Sequence, residues 1–270
     1  MVQAEKTYEK SAQMIYPLSD RSSPATIPNH HTNIRLNTIG GDHWKLPDQW
    51  ISWEIDIPSE GLYKISVRAR QNLVHGLKVN RRILIDGQVP FKEAEKNSFE
   101  YSTGWKMTTL GTEDEPYLFY FSKGKHILTM ETTLGDLGPI LRDAGNSIYS
   151  LNYAYRKILM ITGPGPDIYR DYNIDVELPD VMQILAEQSL VLSDLAGQIE
   201  AYADDRSHAA TLKRLSHMLT KMYTIPFLIP RSIKELKINV GSLATWVHTS
   251  REQPLEVDYI LLQGEDKKVP

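Results

Sequence analysis

The sequence predicts an α+β protein, in which an antiparallel β-sandwich is interrupted by a helical subdomain just before its last strand. Three observations lead to this fold class. Apolar and polar residues alternate up to about Thr133, apolar residues follow a helical period after Gly138, and an alternating segment returns after Pro254. Because that last segment has no strand near it in sequence, we expect it to pair with strands of the first part. The helices are then an insertion.

The first part of the chain reads as short strands joined by turns. Residues 50–57 alternate, Pro58-Ser59-Glu60-Gly61 provides a turn, and residues 62–69 alternate again, which predicts a hairpin. Further strand-like segments follow at 82–87, 99–110, 117–121 and 125–133. Short strands linked in this way are typical of antiparallel sandwiches and barrels.

The second part carries four amphipathic segments, which predict a small helical bundle. Their apolar stripes begin at Ile148, Val181, Leu212 and Ile233. Gly163-Pro164-Gly165-Pro166 should end the first helix, and Ser232 can cap the fourth. We therefore expect residues 1–133 and 254–264 to form the sandwich, and residues 134–253 to form the inserted bundle.

Composition and charge exclude several classes of protein. A formal net charge of -4 argues against a general nucleic-acid binder, which would carry a basic surface. With 0 cysteines, the chain has no disulfide, no catalytic thiolate and no zinc–thiolate site. No apolar run reaches membrane-spanning length. The first residues lack the apolar stretch of a signal peptide, so we expect either a cytoplasmic protein or a piece of a longer one.

Enzyme motifs are absent, which leads us to expect no catalytic activity. The sequence contains no Gly-x-Ser-x-Gly, no His-Glu-x-x-His and no phosphate-binding glycine loop. Glu113-Asp114-Glu115 could supply carboxylates for glycoside hydrolysis, but that chemistry needs two carboxylates about 5–9.5 Å apart across a cleft. Three consecutive acids before Pro116 are more typical of a solvated turn. A dispersed pair of carboxylates stays an open alternative.

Trp44 and Trp105 stand out as candidate ligand-binding residues. Trp44 follows Gly40-Gly41-Asp42-His43, and Trp105 follows Gly104. A tryptophan in a glycine-containing loop is costly to leave in water unless it packs or binds something. Sugars present apolar C–H faces that suit aromatic rings. For each residue the sequence leaves two roles open, an anchor for its own loop or a platform for a ligand.

A series of short motifs resembles carbohydrate-binding module families 6 and 35. The motifs are Gly40-Gly41-Asp42-His43-Trp44, Ile51-Ser52-Trp53-Glu54, Pro58-Ser59-Glu60-Gly61-Leu62-Tyr63, Asp86-Gly87, Gly104-Trp105, Lys123-Gly124-Lys125-His126 and Asp258-Tyr259-Ile260. The resemblance implies a galactose-binding-like jelly-roll sandwich with an oligo- or polysaccharide ligand and, in many members, a structural calcium ion.

The same resemblance implies a binding cleft and a metal position. Trp44 and Trp105 would flank one cleft at an edge of the sandwich, where Asn72 and Arg251 supply hydrogen bonds. Asp258 matches a position that can contribute to a calcium site. In these modules the loop entering the last strand usually gives an asparagine to the sugar. Here the helical insertion replaces that loop, so the cleft is either rebuilt or covered.

Two further segments, residues 86–94 and 251–260, are similar to an N-terminal region of large bacterial extracellular solute-binding lipoproteins of ABC transporters. That likeness implies export, surface anchoring and a role in sugar uptake, with a neighbouring domain or a transporter component as a partner. Two alternatives stay open. One is a structural or protein-interaction domain with no sugar ligand, and the other is an accessory domain of a polysaccharide-degrading enzyme.

Overall fold

A computed structural model describes residues 1–30, 32–112, 115–203 and 205–264 and confirms the predicted fold class. The chain divides into two compact units. The first holds Met1–Gly135 together with the segment from Glu252 onwards, and the second holds Asp136–Arg251. The boundaries expected from periodicity, 133/134 and 253/254, differ from these by two residues each.

The first unit contains the strands. They are β1 (Val2–Gln3), β2 (Glu9–Lys10), β3 (Pro17–Leu18), β4 (Thr38–Gly41), β5 (Trp50–Ile57), β6 (Gly61–Arg70), β7 (Val79–Ile85), β8 (Asn97–Phe99), β9 (Lys106–Thr109), β10 (Phe119–Phe121), β11 (Gly124–Thr133) and β12 (Leu255–Gly264). One sheet has the order β10-β6-β12-β4-β3, with β1 paired to β12 and β9 paired to β6. The other has the order β2-β5-β11-β7-β8. β5 and β6 therefore lie in different sheets, so the hairpin predicted for these two segments is wrong: alternation shows that each segment is a strand but does not choose its partner. The strand pairs among the described residues are antiparallel, and β12 lies between β4 and β6. The last strand therefore joins the sandwich, as the sequence predicts.

The two sheets enclose one apolar core, which explains the alternation in the sequence. Side chains at every second position of β5 and β6 are buried, including Trp53, Ile55, Ile65 and Val67. Burying one such side chain contributes about 1.5–3 kcal/mol. The indole Nε1 of Trp53 donates to the carbonyl of Ala4 at 2.9 Å, which satisfies the one polar atom of that ring.

The second unit contains the helices. They are α1 (Leu137–Thr162), α2 (Ile174–Glu177), α3 (Pro179–Tyr202), α4 (Ser207–Thr224) and α5 (Ile229–Ser250). The four long helices carry the four predicted apolar stripes, and Gly163 ends α1 with φ 70. Within the described residues, no helix combines the length and the apolar character that crossing a membrane requires.

The start of the last helix differs from the prediction. α5 begins at Ile229 with Pro230 in its first turn, so Ser232 lies inside the helix and does not cap it. The reason is that the fixed φ of proline suits the first turn, where its missing N–H costs nothing. The apolar stripe alone could not reveal this extra turn at the start of the helix.

A buried arginine links the two sheets at one end of the sandwich. Arg81, on β7, is fully buried and has no carboxylate partner in the described part of the chain. Its guanidinium donates to the carbonyls of Asn80 at 2.9 Å, Trp44 at 3.3 Å and Gln253 at 2.7 Å. The same group lies 4.0 Å from the centre of the Trp44 ring. Burial lowers the pKa of Arg81 to about 9, so the side chain stays charged at neutral pH.

Replacing Arg81 should therefore destabilise the sandwich strongly. We expect Arg81→Met to lower the free energy of unfolding by at least about 3 kcal/mol, because three buried carbonyls lose their donor. Arg82→Met is the matched control, since Arg82 is the next residue on β7, is 39% exposed and pairs with Glu131 at 3.1 Å. That change should cost less than about 1 kcal/mol. Equal urea midpoints for the two variants would contradict the assignment.

Candidate functional site

The strand register brings three of the loops singled out in the sequence to one end of the seven-stranded sheet. Gly41, at the end of β4, pairs with Leu255, and Arg70, at the end of β6, pairs with Glu256. Lys106, at the start of β9, pairs with Ala69. The loops that carry Trp44, Asn72 and Trp105 therefore leave the sheet at the same end.

Trp44 is a core residue and does not face solvent. Its side chain is fully buried, and its Nε1 donates to the carbonyl of Gln49 at 3.2 Å. Gly40 allows this packing, because a Cβ there would lie 2.2 Å from the carbonyl oxygen of Leu255 and 3.2 Å from the Trp44 ring. The expectation that Trp44 lines a ligand cleft is wrong for this reason. Trp44 anchors its own loop, and its ring makes a cation–π contact with the guanidinium of Arg81.

Trp105 is half-buried and belongs to a network of charges. Its Nε1 donates to Asp20 Oδ2 at 3.0 Å, and the Arg70 guanidinium lies 4.7 Å from its ring centre. Arg70 also binds Asp20 at 3.2 Å and Glu256 at 2.6 Å. Burial alone would raise the pKa of Asp20, but hydrogen bonds from Ser22 and Trp105 and the charge of Arg70 lower it. A role for Trp105 in ligand binding stays a prediction.

The other three predicted site residues occupy different surroundings. Asn72 is exposed just beyond β6, and Arg251 is exposed directly after α5, in the helical unit. Their roles as ligand partners stay predictions. Asp258 is fully buried, pairs with Arg68 and accepts a hydrogen bond from the Ile27 amide at 3.2 Å. Burial raises the pKa of Asp258, and a guanidinium already holds its carboxylate, so Asp258 does not fit a calcium site.

No metal-binding cluster is found in the part of the chain that the structure describes. Across those residues no three His, Asp or Glu side chains come together in a way that could hold a metal ion. Glu113 and Asp114, considered above as carboxylates, lie outside the described residues. Glu115 is exposed next to Pro116.

A groove on the outer face of the five-stranded sheet has the form of a binding site, and the sequence analysis did not single it out. Its volume is about 690 Å³. It is lined by Tyr8, Glu9, Trp50, Ser52, Leu84, Asp86, Gly87, Ile127, Thr129 and Glu131, and we call this surface the face groove. Ser52 pairs with Glu9 on one side and with Thr129 on the other, so the floor spans three adjacent strands including β11.

The face groove combines apolar surface with hydrogen-bonding groups. Trp50 is partly exposed, and Tyr8, at the edge, is 55% exposed. Leu84 and Ile127 extend the apolar floor. Hydroxyls and carboxylates surround this floor, which is the arrangement that binds an amphipathic ligand such as a sugar ring. Contiguous exposed apolar surface rimmed by polar groups often marks an interaction site.

The rim of the face groove carries carboxylates that accept hydrogen bonds from neighbouring residues. Glu131 accepts a hydrogen bond from Arg82 at 3.1 Å. Asp86 accepts from His126 Nδ1 at 2.6 Å and from the Ile127 amide at 2.8 Å. Burial alone would raise the pKa of Asp86, but the bonds from His126 and Ile127 lower it. The bond to Asp86 raises the pKa of His126 above its ordinary value.

The spacing of two tryptophans in the sequence does contain a signal for the face groove. Trp50 and Trp53 lie three positions apart on β5, so their side chains face opposite sides of the sheet. Because Trp53 is fully buried, Trp50 must face outwards. An outward tryptophan on a strand is a stronger sign of a ligand surface than a tryptophan in a loop.

Comparison with known proteins connects the helical unit to a bacterial family. Residues 139–250 match the model of a family described as "Bacterial solute-binding protein, 4-helix bundle domain". The match lies within the helical unit, and it confirms the resemblance to solute-binding proteins inferred from the sequence. A search of curated protein sequences gives no significant match.

Several solved structures overlap part of the chain. A family 35 carbohydrate binding module from Clostridium thermocellum is 13% identical, with a TM-score of 0.32, over 44% of this chain and 78% of that one. A CBM35 from Cellvibrio japonicus Abf62 is 15% identical, with a TM-score of 0.32, over 49% of this chain and 80% of that one. A cycloisomaltooligosaccharide glucanotransferase from Paenibacillus sp. is 16% identical, with a TM-score of 0.35, over 48% of this chain. The overlap spans only 15% of that enzyme's length.

The different burial of two tryptophans gives a test by stability. Trp44→Ala should lower the free energy of unfolding by about 3–5 kcal/mol, because it empties a core position and removes the ring beneath Arg81. Trp50→Ala should lower it by less, about 1–2 kcal/mol, because Trp50 lies on the outer face and only part of its surface is covered. Chemical unfolding followed by far-UV circular dichroism measures both. Similar losses for the two variants would refute the assignment of Trp50 to the surface.

The His126–Asp86 bond gives a test by titration. We expect NMR titration of folded protein to place the His126 pKa above its ordinary value of 6.5, and Asp86→Asn to bring it back down. A raised pKa means that the pair contributes stability below the unfolded value and loses that contribution as pH rises through the folded value. Ser122→Ala, which removes only a second contact of the ring, should leave most of the shift. An unshifted wild-type pKa would contradict the geometry.

Proposed function

We propose that this chain is a non-catalytic carbohydrate-binding module of a larger bacterial solute-binding protein, and that the face groove holds the sugar. One observation carries the proposal. Trp50 presents part of its indole ring on the outer face of a sheet, directly beside hydroxyls and carboxylates, in a groove of about 690 Å³. Pockets of roughly 300–1,000 Å³ are typical of small-molecule sites.

The groove offers both kinds of contact that a sugar ring requires. The apolar C–H face of the ring can lie on Trp50, with Leu84 and Ile127 beside it. Sugar hydroxyls can then meet the hydroxyl of Thr129 and the carboxylates of Glu9 and Glu131. The Ser52 hydroxyl is buried in the floor and bonds the backbone of Glu9. These groups come from strands and need little reorganisation to bind.

The helical unit is the reason for proposing that the chain is part of a larger protein. Its match to a solute-binding family supports a role in which the sandwich holds a sugar or polysaccharide close to an uptake system. Export, lipid anchoring at the bacterial cell surface and contact with a transporter component are part of the same proposal. We propose no nucleic-acid partner, because the net charge of -4 gives phosphate no general attraction.

The carboxylates of the face groove favour binding over catalysis. A general acid in glycoside hydrolysis needs a raised pKa, whereas the contacts of Asp86 lower its pKa. Glu131 is held by Arg82 at 3.1 Å, which keeps a positive charge against it. Both groups suit accepting hydrogen bonds from a ligand.

Affinity electrophoresis of the full chain tests this function. Gels containing mixed-linkage β-glucan, galactomannan or arabinoxylan should retard the chain in at least one case, and Trp50→Ala should abolish the retardation because it removes the platform. Trp105→Ala is the control, since it alters the other candidate aromatic residue. Unfolding of each variant must be measured in parallel to show that the fold is kept.

The outcomes separate the alternatives. Loss of retardation in Trp105→Ala but not in Trp50→Ala would move the site to the end of the seven-stranded sheet. If no polysaccharide in the panel retards the wild-type chain, a structural or protein-interaction role replaces the proposed function.

A further inference from the structure

Resting on the function proposed above, we infer that the face groove selects glycans without negative charge, favours those that carry a protonated amine and excludes acidic glycans built from uronic acids. The observation behind this inference is the sign of the charges that line the groove. Glu9, Asp86 and Glu131 contribute carboxylates, and no lysine, arginine or histidine is among its lining residues.

The three carboxylates differ in how far neighbours balance them. Arg82 stands next to Glu131, whose side chain is 19% exposed. Asp86 is 52% exposed and faces His126, and its lowered pKa keeps it ionised over the physiological range. Glu9 is exposed, and no ion pair of Glu9 is found among the described residues. The rim is therefore negative towards a ligand on the floor.

A uronic acid on that floor would bring a like charge close to the rim. At separations of about 6 Å in partly solvated surroundings, such a repulsion weakens binding about tenfold for each uronate. A protonated amino sugar would gain from the same field. Neutral sugars are unaffected by it and bind through the ring of Trp50 and the hydroxyls.

A second pocket of the sandwich has the opposite character, which matters for the test. About 240 Å³ in volume, it is lined by Lys78, Glu100 and Lys106 together with uncharged side chains of β8 and β9 and the residues that follow β9. Lys106 pairs with Glu100 at 2.8 Å, and Lys78 brings a further positive charge. This pocket contains no aromatic ring, but an acidic polymer could bind there, and the experiment has to distinguish the two places.

The experiment compares each panel polysaccharide that binds with two of its own derivatives. In one, primary alcohols (C6 of the hexoses, or C5 of the arabinose branches in arabinoxylan) are oxidised to carboxylates, and in the other the same hydroxyls are replaced by amines. Isothermal titration at low salt with the full chain should show the carboxylate derivative binding at least about tenfold more weakly than the neutral parent. The amine derivative should bind more tightly than the parent, and both differences should shrink at high salt. Equal binding of the amine derivative and the parent would overturn the preference for amines.

A charge variant supplies the matched control. Glu9→Gln combined with Asp86→Asn removes two rim charges and keeps side-chain size. Asparagine tolerates the positive φ of 51 at position 86, so the turn should persist. In this variant the difference between the carboxylate derivative and the neutral parent should fall several-fold, whereas a merely steric effect of the carboxylate would leave that difference unchanged and overturn the inference.

The other outcomes are separable from a failure of the proposed function. If the carboxylate derivative binds as tightly as the parent and Trp50→Ala abolishes both, the function stands and the inference is wrong. If its binding survives Trp50→Ala but is lost in Lys78→Gln with Lys106→Gln, the acidic polymer occupies the second pocket and the exclusion from the face groove holds. If Trp50→Ala weakens no polysaccharide, the proposed function itself fails.

Discussion

The sandwich depends on how one positive charge is buried. The guanidinium of Arg81 lies in the core and is held by backbone carbonyls from β7, from the Trp44 loop and from Gln253, two residues before β12. A charge in such a place must be solvated by the protein, because its desolvation otherwise costs several kcal/mol. The three carbonyls and the Trp44 ring provide that solvation. The positions of the loop and of Gln253 are therefore set by the requirements of a single side chain.

Periodicity predicted the fold class because it is a local property that each strand and helix shows by itself. The role of Trp44 could not be predicted in this way, since it depends on Arg81, which is distant in sequence. Strand parity still held a clue. Val79, Arg81 and Ile83 share one face of β7, and both apolar residues are fully buried. An arginine at an inward position next to them indicates a buried charge in need of partners.

The outer faces of the two sheets are used differently. On the seven-stranded sheet, Arg68 and Arg70 pair with acids of β12, and Arg70 also binds Asp20, so charged groups satisfy one another across that face. On the five-stranded sheet, Trp50 remains partly open. The loops attracted attention in the sequence because their motifs resemble those of known modules. The face groove did not attract attention in the sequence, because its strand residues come from four strands and meet only in the folded sheet.

The placement of β12 between β4 and β6 has a consequence for the order in which the protein is made. Every other strand of the seven-stranded sheet precedes the helical unit in the chain, whereas its central strand follows it. A ribosome must therefore finish all of Asp136–Arg251 before the sheet can close. Until then β4 and β6 present unpaired backbone groups to their surroundings, a state prone to edge-to-edge association. If the helical unit folds early, it shortens the effective loop between β12 and its partners β4 and β6. The entropic cost of bringing β12 to these strands is then lower.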